Sequence, residues 1–401
     1  MASLTNIPFS FLLGSGASIP AKMPRTNDIT EIVLSGKDVW KHSDGSYYLE
    51  KTKQSGWDVL ETSRITEFVN ILKKQISLFY EKRFQQRETN YEDLYYVADQ
   101  ITSVEDGDYD NPAIQALIDK ILPECTQLMT KTDLHEAWNL LDLASEATYY
   151  IMDIAWRLLL RSPGDISYLS KILSPLGSRS IPLAGIFTLN HDTVLEHWLS
   201  QNRVQFIDGF SDPVNGVRYW NPNSLVGNSS KVKLFKLHGS VNWFSYPSNA
   251  IQPGVESVGI PFDWDFQHTL NPEGKRQYSL GPNGPRPAIL MGTFNKMFNY
   301  TMGIFADIYC LFRQALRDTN SLVIIGYGFG DKGVNTQIIE WAYLSANNKI
   351  ILIEPNPEKL KIRARLAIQK HWDRWLMQKK FKIISKGIEN VTWEELVGEE
   401  N

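Results

Sequence analysis

Apolar positions follow two rhythms along this chain. Between residues 61 and 175 they return every three to four places. Ile65, Phe68, Val69, Leu72, Ile76 and Phe79 trace one stripe; Leu134, Trp138, Leu141, Ile151, Ala155 and Leu159 trace another. That spacing predicts helices with one apolar face. From 183 onward short continuous runs take over: LAGIFTL, VKLFKL, AILMG, SLVIIGYG and KIILIEP, with helical spacing between them. Strands apolar on both faces predict a mostly parallel sheet covered by helices. An earlier strand, Phe9 to Gly14, runs into a glycine turn and then a helix near Asn27 to Leu34, with Asn27, Asp28 and Thr30 as cap candidates.

The fold class that follows is α/β, a Rossmann-like mostly parallel sheet with a large all-helical insertion. The expected division is 1–35 with 176–401 for the sheet domain and 36–175 for the insertion. Within the insertion, 36–57 reads as a loop or small hairpin turning at Asp44-Gly45. The apolar faces of the 63–84 and 133–161 helices are extensive enough to suggest an oligomer interface. Residues 245–287, rich in Pro and Gly, read as an excursion near the ligand-binding edge of the sheet. A helix over 357–380 sets Lys359, Lys361, Arg363, Arg365, Lys370, Arg374, Lys379 and Lys380 beside Leu360, Ile368, Trp372 and Trp375. Its plain reading is a solvated basic face over an apolar stripe. A docking surface is the alternative.

Composition narrows the class. A chain of 401 residues, 43% hydrophobic and 12% aromatic, can bury a large core. Forty-one basic against 45 acidic side chains leave a formal charge of −4, with no overall pull toward nucleic acid or anionic membranes. Two cysteines, Cys125 and Cys310, build neither a four-cysteine zinc site nor a disulfide framework, which fits a reducing, cytoplasmic setting. The N-terminal text lacks a signal-peptide pattern, and no apolar stretch has membrane-spanning length.

Ligands of open parallel sheets bind beyond the carboxyl ends of the strands, so polar residues directly after apolar runs are the ones to collect. Four places qualify: GSGAS at 14–18, TLNHD at 188–192, LHGS at 237–240 and GYGFGD at 326–331. Each has a structural alternative. The glycines serve tight bends, Asn190 suits a strand-end turn, and Asp192 and Asp331 suit helix caps. His238 at a ligand-facing strand end suits a general base. The His191-Asp192 pair suggests a metal phosphohydrolase only weakly, because the remaining histidines show no metal-ligand spacing.

Taken together and in this order, the four motifs resemble the sirtuin family, particularly its bacterial branch of antiphage NAD hydrolases, over residues 8–18 and 183–356. NYEDLYYVADQI at 90–101 is similar to a helix start of that branch. The resemblance implies that Gly14, Gly16, Ala17 and Ser18 cradle a pyrophosphate through their amides. It also implies that Asn190 holds ribose hydroxyls or the attacking water, Asp192 recognises the nicotinamide carboxamide, and His238 acts as base with Ser240 orienting it or satisfying the turn. Gly326, Tyr327, Gly328 and Asp331 would line the adenosine side, and Glu354 and Asn356 the adenine or its ribose.

The implied reaction is hydrolysis of the nicotinamide–ribose bond of NAD, taken as substrate and without a metal, in an antiphage effector that depletes cellular NAD. Homo-oligomers are implied, with a separately encoded HerA-type ATPase or a short argonaute as partner, and neither nucleic acid nor membrane bound directly. Departures are visible. No paired cysteines form the zinc ribbon of deacylating sirtuins, His191 stands where an apolar residue or Tyr is usual, and MPRTNDI lacks the deacylases' Pro-Asp-Phe-Arg run. These disfavour deacylation and leave a non-catalytic scaffold, binding NAD or ADP-ribose to gate assembly, as the alternative.

Overall fold

Seven strands lie side by side in one all-parallel sheet: β1 (Phe9–Leu13), β2 (Leu183–Thr188), β3 (Phe206–Ile207), β4 (Val232–Lys236), β5 (Ser321–Ile325), β6 (Lys349–Ile353) and β7 (Phe381–Ile384), in the order β7-β6-β5-β1-β2-β4-β3. The computed structural model describes residues 8–52, 59–83, 87–108, 110–131, 136–177, 182–214, 216–226, 231–246, 257–262, 268–270, 276–278 and 284–398. Every residue of β1 and β5 is buried, as two-sided coverage requires. From β1 the chain winds to β2 and β4 on one side, then returns to β5, β6 and β7 on the other. The winding reverses between β1 and β5, the position where such sheets open a ligand crevice.

Register brings the strand ends into one row. Leu13 pairs with both Thr188 and Ile325, Thr188 with Lys236, and Ile325 with Ile353. The residues that follow each therefore emerge at a common edge.

Helices cover the sheet through four-residue apolar spacing. Gly303–Arg317 buries Ile304, Ile308, Phe312 and Leu316. Phe312 meets Phe187 edge-on at 4.6 Å, and Phe187 stacks on Phe235 at 4.8 Å. The basic segment is two helices, Pro357–Arg363 and Leu366–Met377, rather than the single helix its pattern suggested. The break at Ala364–Arg365 is held on the loop after β5, where Arg365 donates from its backbone N to Phe329 O and from Nε to Gly330 O. Leu360, Ile368, Trp372 and Trp375 are buried as the stripe demanded. Lys380 departs from the solvated face: it is buried, and Nζ donates to the carbonyls of Ala342 and Ser345 at 2.8 and 2.6 Å, closing the end of helix Lys332–Leu344.

The chain divides into two units. The sheet unit runs to Met23, from Ser162 to Leu290 and from Lys296 onward; the helical unit is Pro24–Arg161 with Met291–Asn295. Helices Thr26–Ser35, Val59–Arg83, Tyr91–Glu105, Pro112–Met129 and Leu140–Leu159 belong to the second, with a hairpin of Val39–Lys41 and Tyr47–Leu49 turning through Asp44-Gly45. Asn90 starts its helix with a capping box, accepting from the amides of Glu92 and Asp93 while Asp93 accepts from the Asn90 amide. Ile65, Phe68, Val69 and Leu72 are fully buried within this unit, as is most of Leu140–Leu159. Phe79 of the first stripe stays exposed, and Trp138, Leu141 and Leu159 of the second are half-buried.

Of the 245–287 segment, Phe244–Tyr246 and Ser257–Pro261 join Val217–Tyr219 in a small antiparallel sheet, and His268–Leu270 pairs with Arg276–Tyr278. The rest of its reading, 247–256, 263–267, 271–275 and 279–283, lies outside the described residues, as does Leu134 of the second stripe. Among the described residues no helix is long and apolar enough to cross a membrane.

At the switch point the glycine turns of β1 and β5 press against each other. A Cβ on Gly14 would lie 2.6 Å from Gly326 O, and one on Gly16 would lie 2.6 Å from Gly326 Cα. Gly326 has φ +61° and would overlap the backbone N of Ala17. Replacing Gly326 by Ala is expected to cost roughly 2–4 kcal/mol, from left-handed strain plus backbone overlap. At Gly328 an added Cβ meets nothing within 4 Å, and Gly328→Ala should stay within about 1 kcal/mol of wild type. Urea unfolding of both variants measures the difference.

Candidate functional site

One extra backbone bond past β2 and another past β4 deliver the motif residues to the crevice: Leu189 N donates to Leu13 O and Leu237 N to Thr188 O. Asn190, 8% exposed, is then fixed from two sides. Its backbone N donates to Thr188 Oγ1 at 3.1 Å, and Nδ2 donates to Ser18 Oγ at 3.0 Å. The carboxamide oxygen Oδ1 is buried without a partner, a condition that costs about 1–3 kcal/mol unless a donor arrives. A cavity of about 10 Å³ beside it is lined by Leu13, Ala17, Ser18, Asn190, Asp192 and Glu196.

Asp192 precedes the N-cap Thr193 of helix Val194–Gln201, accepts from Val194 N at 3.1 Å, and also meets the Ser18 hydroxyl. Burial raises its carboxyl above the usual range; the charge of Lys236 and these hydrogen bonds oppose the rise. Lys236 is 3% exposed, and its ammonium donates to Asp192 O and, at 2.8 Å, to Glu196 Oε1. One buried lysine thus ties the end of β4 to the loop carrying Asn190 and Asp192.

His238 faces a second polar cluster. Its Nε2 lies 2.7 Å from Tyr300 Oη and 3.2 Å from Asp331 Oδ2. The Tyr300 hydroxyl donates to the same carboxylate oxygen at 2.9 Å, and Asp331 Oδ1 accepts from Val334 N at 2.8 Å as the cap of helix Lys332–Leu344. Burial alone would raise Asp331, but the hydrogen bond and charge of His238, the charge of Lys296 and the Val334 amide hold it at about 2. Against an ionised Asp331, Nε2 is the protonated ring nitrogen, so the neutral imidazole accepts at Nδ1. His191, its ring centroid 6.1 Å from that of His238, is held well below the ordinary histidine range by burial and then by the charges of His238, Lys296 and Lys236. Its Nδ1 is buried without a partner. Burial thus holds His191 neutral, while His238 lies beside a carboxylate.

The structure brings Ser18, Asn190 and Asp192 together in one cluster and His238, Tyr300 and Asp331 in another. Several expected roles change. The amides of Gly14, Gly16 and Ala17, expected to cradle a pyrophosphate, donate to Ile325 O, Gly326 O and Gly14 O, at 2.9, 3.0 and 2.9 Å, and the glycines pack closely against Gly326. Asp331, expected to line the adenosine side, faces His238 and caps the helix at Val334. Tyr327 turns into the core, its hydroxyl accepting from Asp331 N at 3.1 Å and meeting Asn335 Oδ1 at 2.9 Å. Ser240 is fully buried and donates to His191 O at 3.3 Å, which is the turn-satisfying role. Gly328 stays open. Glu354 is half-buried after β6, accepts from Asn356 N at 2.9 Å, and leaves Asn356 exposed at the next helix start.

Lys236, Glu196, Lys296 and Tyr300 were not picked out from sequence. A lysine inside the apolar run KLFKL was a usable signal for Lys236; Tyr300 carried none. Among the described residues no group of three His, Cys, Asp or Glu side chains could hold a metal ion.

A Rossmann-like sheet with a buried polar cluster at its topological switch point defines a nucleotide-site class of α/β protein. The SIR2-like domain model matches residues 184–384, half of the chain, and the chain belongs to that family, whose domains use NAD as a substrate. The match includes Asn190, Asp192, His238, Tyr300, Asp331 and Glu354, while the Gly14–Ser18 turn precedes it. No curated protein matches the chain.

Asp331 sets a pH signature. A carboxyl held at about 2 against an ordinary 3.8 contributes stability that is fully present above about pH 4 and lost as pH falls toward 2. The contribution is about 2 kcal/mol. Urea midpoints measured across that window should fall more steeply for wild type than for Asp331→Asn.

Proposed function

We infer that this protein hydrolyses NAD, breaking the nicotinamide–ribose bond to give nicotinamide and ADP-ribose. The observation that carries the reading is Asn190: its amide nitrogen is fixed on Ser18 while its oxygen is buried without a partner at the switch-point crevice. Such an oxygen accepts from a ribose hydroxyl or from a water.

Nicotinamide leaves as a neutral molecule, taking the electron pair of the C–N bond, so its departure needs no strong acid. What the site must do is hold the ribose and steady positive charge developing at the anomeric carbon. Water then adds there, with Asn190 orienting it or a ribose hydroxyl, and the displaced proton passes to His238, directly or through a ribose hydroxyl. Asp192 sits on the Asn190 side, where the family resemblance assigns it to the nicotinamide carboxamide. An NAD-depleting enzyme must be silent until needed, so regulation by assembly belongs to this reading. Its proposed setting is antiphage defence, as a homo-oligomer partnered by a HerA-type ATPase or a short argonaute.

His191, standing where an apolar residue or Tyr is usual beside Asn190 and Asp192, favours weighing a scaffold that binds NAD or ADP-ribose without turnover. Chromatography of NAD incubated with wild type, Asn190→Ala and His238→Ala, each alone and with a genomic-neighbour ATPase, separates the two. Wild-type product, reduced roughly 100-fold or more by either substitution, is the expected result. Tight NAD or ADP-ribose binding without product in either setting would leave the scaffold.

A further inference from the structure

We propose that Asp331 and Tyr300 are positioning residues for His238, fixing its imidazole with Nε2 protonated so that Nδ1 is the nitrogen that takes a proton. The catalytic part of this assignment rests on the hydrolase reading; the tautomer part does not. Both oxygens of Asp331 are assigned. Oδ2 receives the Tyr300 hydroxyl at 2.9 Å and faces His238 Nε2 at 3.2 Å, and Oδ1 accepts from the Val334 amide. An ionised carboxylate has no proton to give, so the ring must donate to it.

The pair is itself held rigidly. Tyr300 stacks on Tyr309 at 4.4 Å and 16°, and Tyr309 in turn donates to Gly333 O at 2.9 Å. A Cβ at Gly333 would fall 2.8 Å from the Tyr300 ring, so that glycine admits the tyrosine against the helix start. Tyr327 clamps the Asp331 backbone from the other side, bonding its amide and carbonyl at 3.1 and 3.2 Å. His238 thus meets a fixed carboxylate rather than a mobile one. Charged or titratable groups near this cluster include His191, which remains neutral, Lys296, which acts on both Asp331 and His191, Lys236, which acts on His191, Tyr309 and Tyr327, which act on Tyr300, and Arg365, which acts on Tyr327.

The carboxylate has a second effect. Lying 3.2 Å from Nε2, it can stabilise the positive charge of an imidazole that has taken a proton. Removing it should move the acid limb of the rate profile to lower pH, which loss of packing alone would not do.

The test compares wild type, Asp331→Asn and Tyr300→Phe by NAD hydrolysis across pH, and by nitrogen-15 NMR of labelled histidines. His238→Gln assigns the His238 signal. Asn keeps a helix-capping oxygen, and Phe removes only a hydroxyl. Expected for Asp331→Asn are a kcat loss of roughly 100-fold and an acid limb about one unit lower. Tyr300→Phe should lose roughly tenfold in kcat with KM within about twofold. Wild-type His238 should show a protonated Nε2 that Asp331→Asn no longer enforces.

Hydrolysis with an unmoved limb and an unchanged tautomer in both variants would overturn the positioning role and leave the hydrolase reading standing. Absence of wild-type hydrolysis, alone and with the partner ATPase, would overturn the hydrolase reading and with it the catalytic part of this proposal. The NMR signature would then decide the tautomer part by itself: a protonated Nε2 lost in Asp331→Asn supports it, and one retained overturns it.

Discussion

Two glycine turns press backbone against backbone at the sheet edge, and the site is built outward from them. Gly14 N donates to Ile325 O and Gly16 N to Gly326 O, binding the exit of β1 to the exit of β5 where the winding of the sheet reverses. Neither bond is worth more than about 1.5 kcal/mol by itself. Their importance is geometric, because no side chain fits between the turns. With the turns locked, Ser18 falls beside Asn190 on one side. On the other, the chain after Gly326 carries Tyr327 into the core and Asp331 to His238.

Electrostatics then separate groups that are chemically alike. Asp331 and Asp192 are both buried carboxylates, yet one is held low by a histidine, a lysine and an amide, while burial pushes the other up. His191 and His238 are both buried imidazoles. Only His238 touches a carboxylate, and His191 is kept neutral by burial and by the cations around it. Buried charge is tolerated where it is paired, and Lys236 meets that condition by bridging Asp192 O and Glu196. The crevice contains one strong candidate for proton transfer instead of two competing ones.

Side-chain periodicity by itself determined the strands after 183, the helical stripes, and the arrival of Asn190 and His238 directly behind apolar runs, because local burial leaves a repeat of 2, 3.6 or none at all. The four motifs, by their order and strand-end positions, carried a resemblance to the family, which the SIR2-like domain match over residues 184–384 bears out. Tertiary structure decided which polar groups meet. Tyr300 and Asp331 reach His238 from 62 and 93 residues away, and nothing in local spacing encodes that pairing. It decided that the amides of the glycine turn face carbonyls of β5 and its loop, that Arg365 breaks the basic segment into two helices, and that Lys380 is buried as a helix cap. Burial is written residue by residue along a strand or helix. The partner of a buried polar group is set by strand order and register, which bring distant loops to one edge only after the sheet has formed.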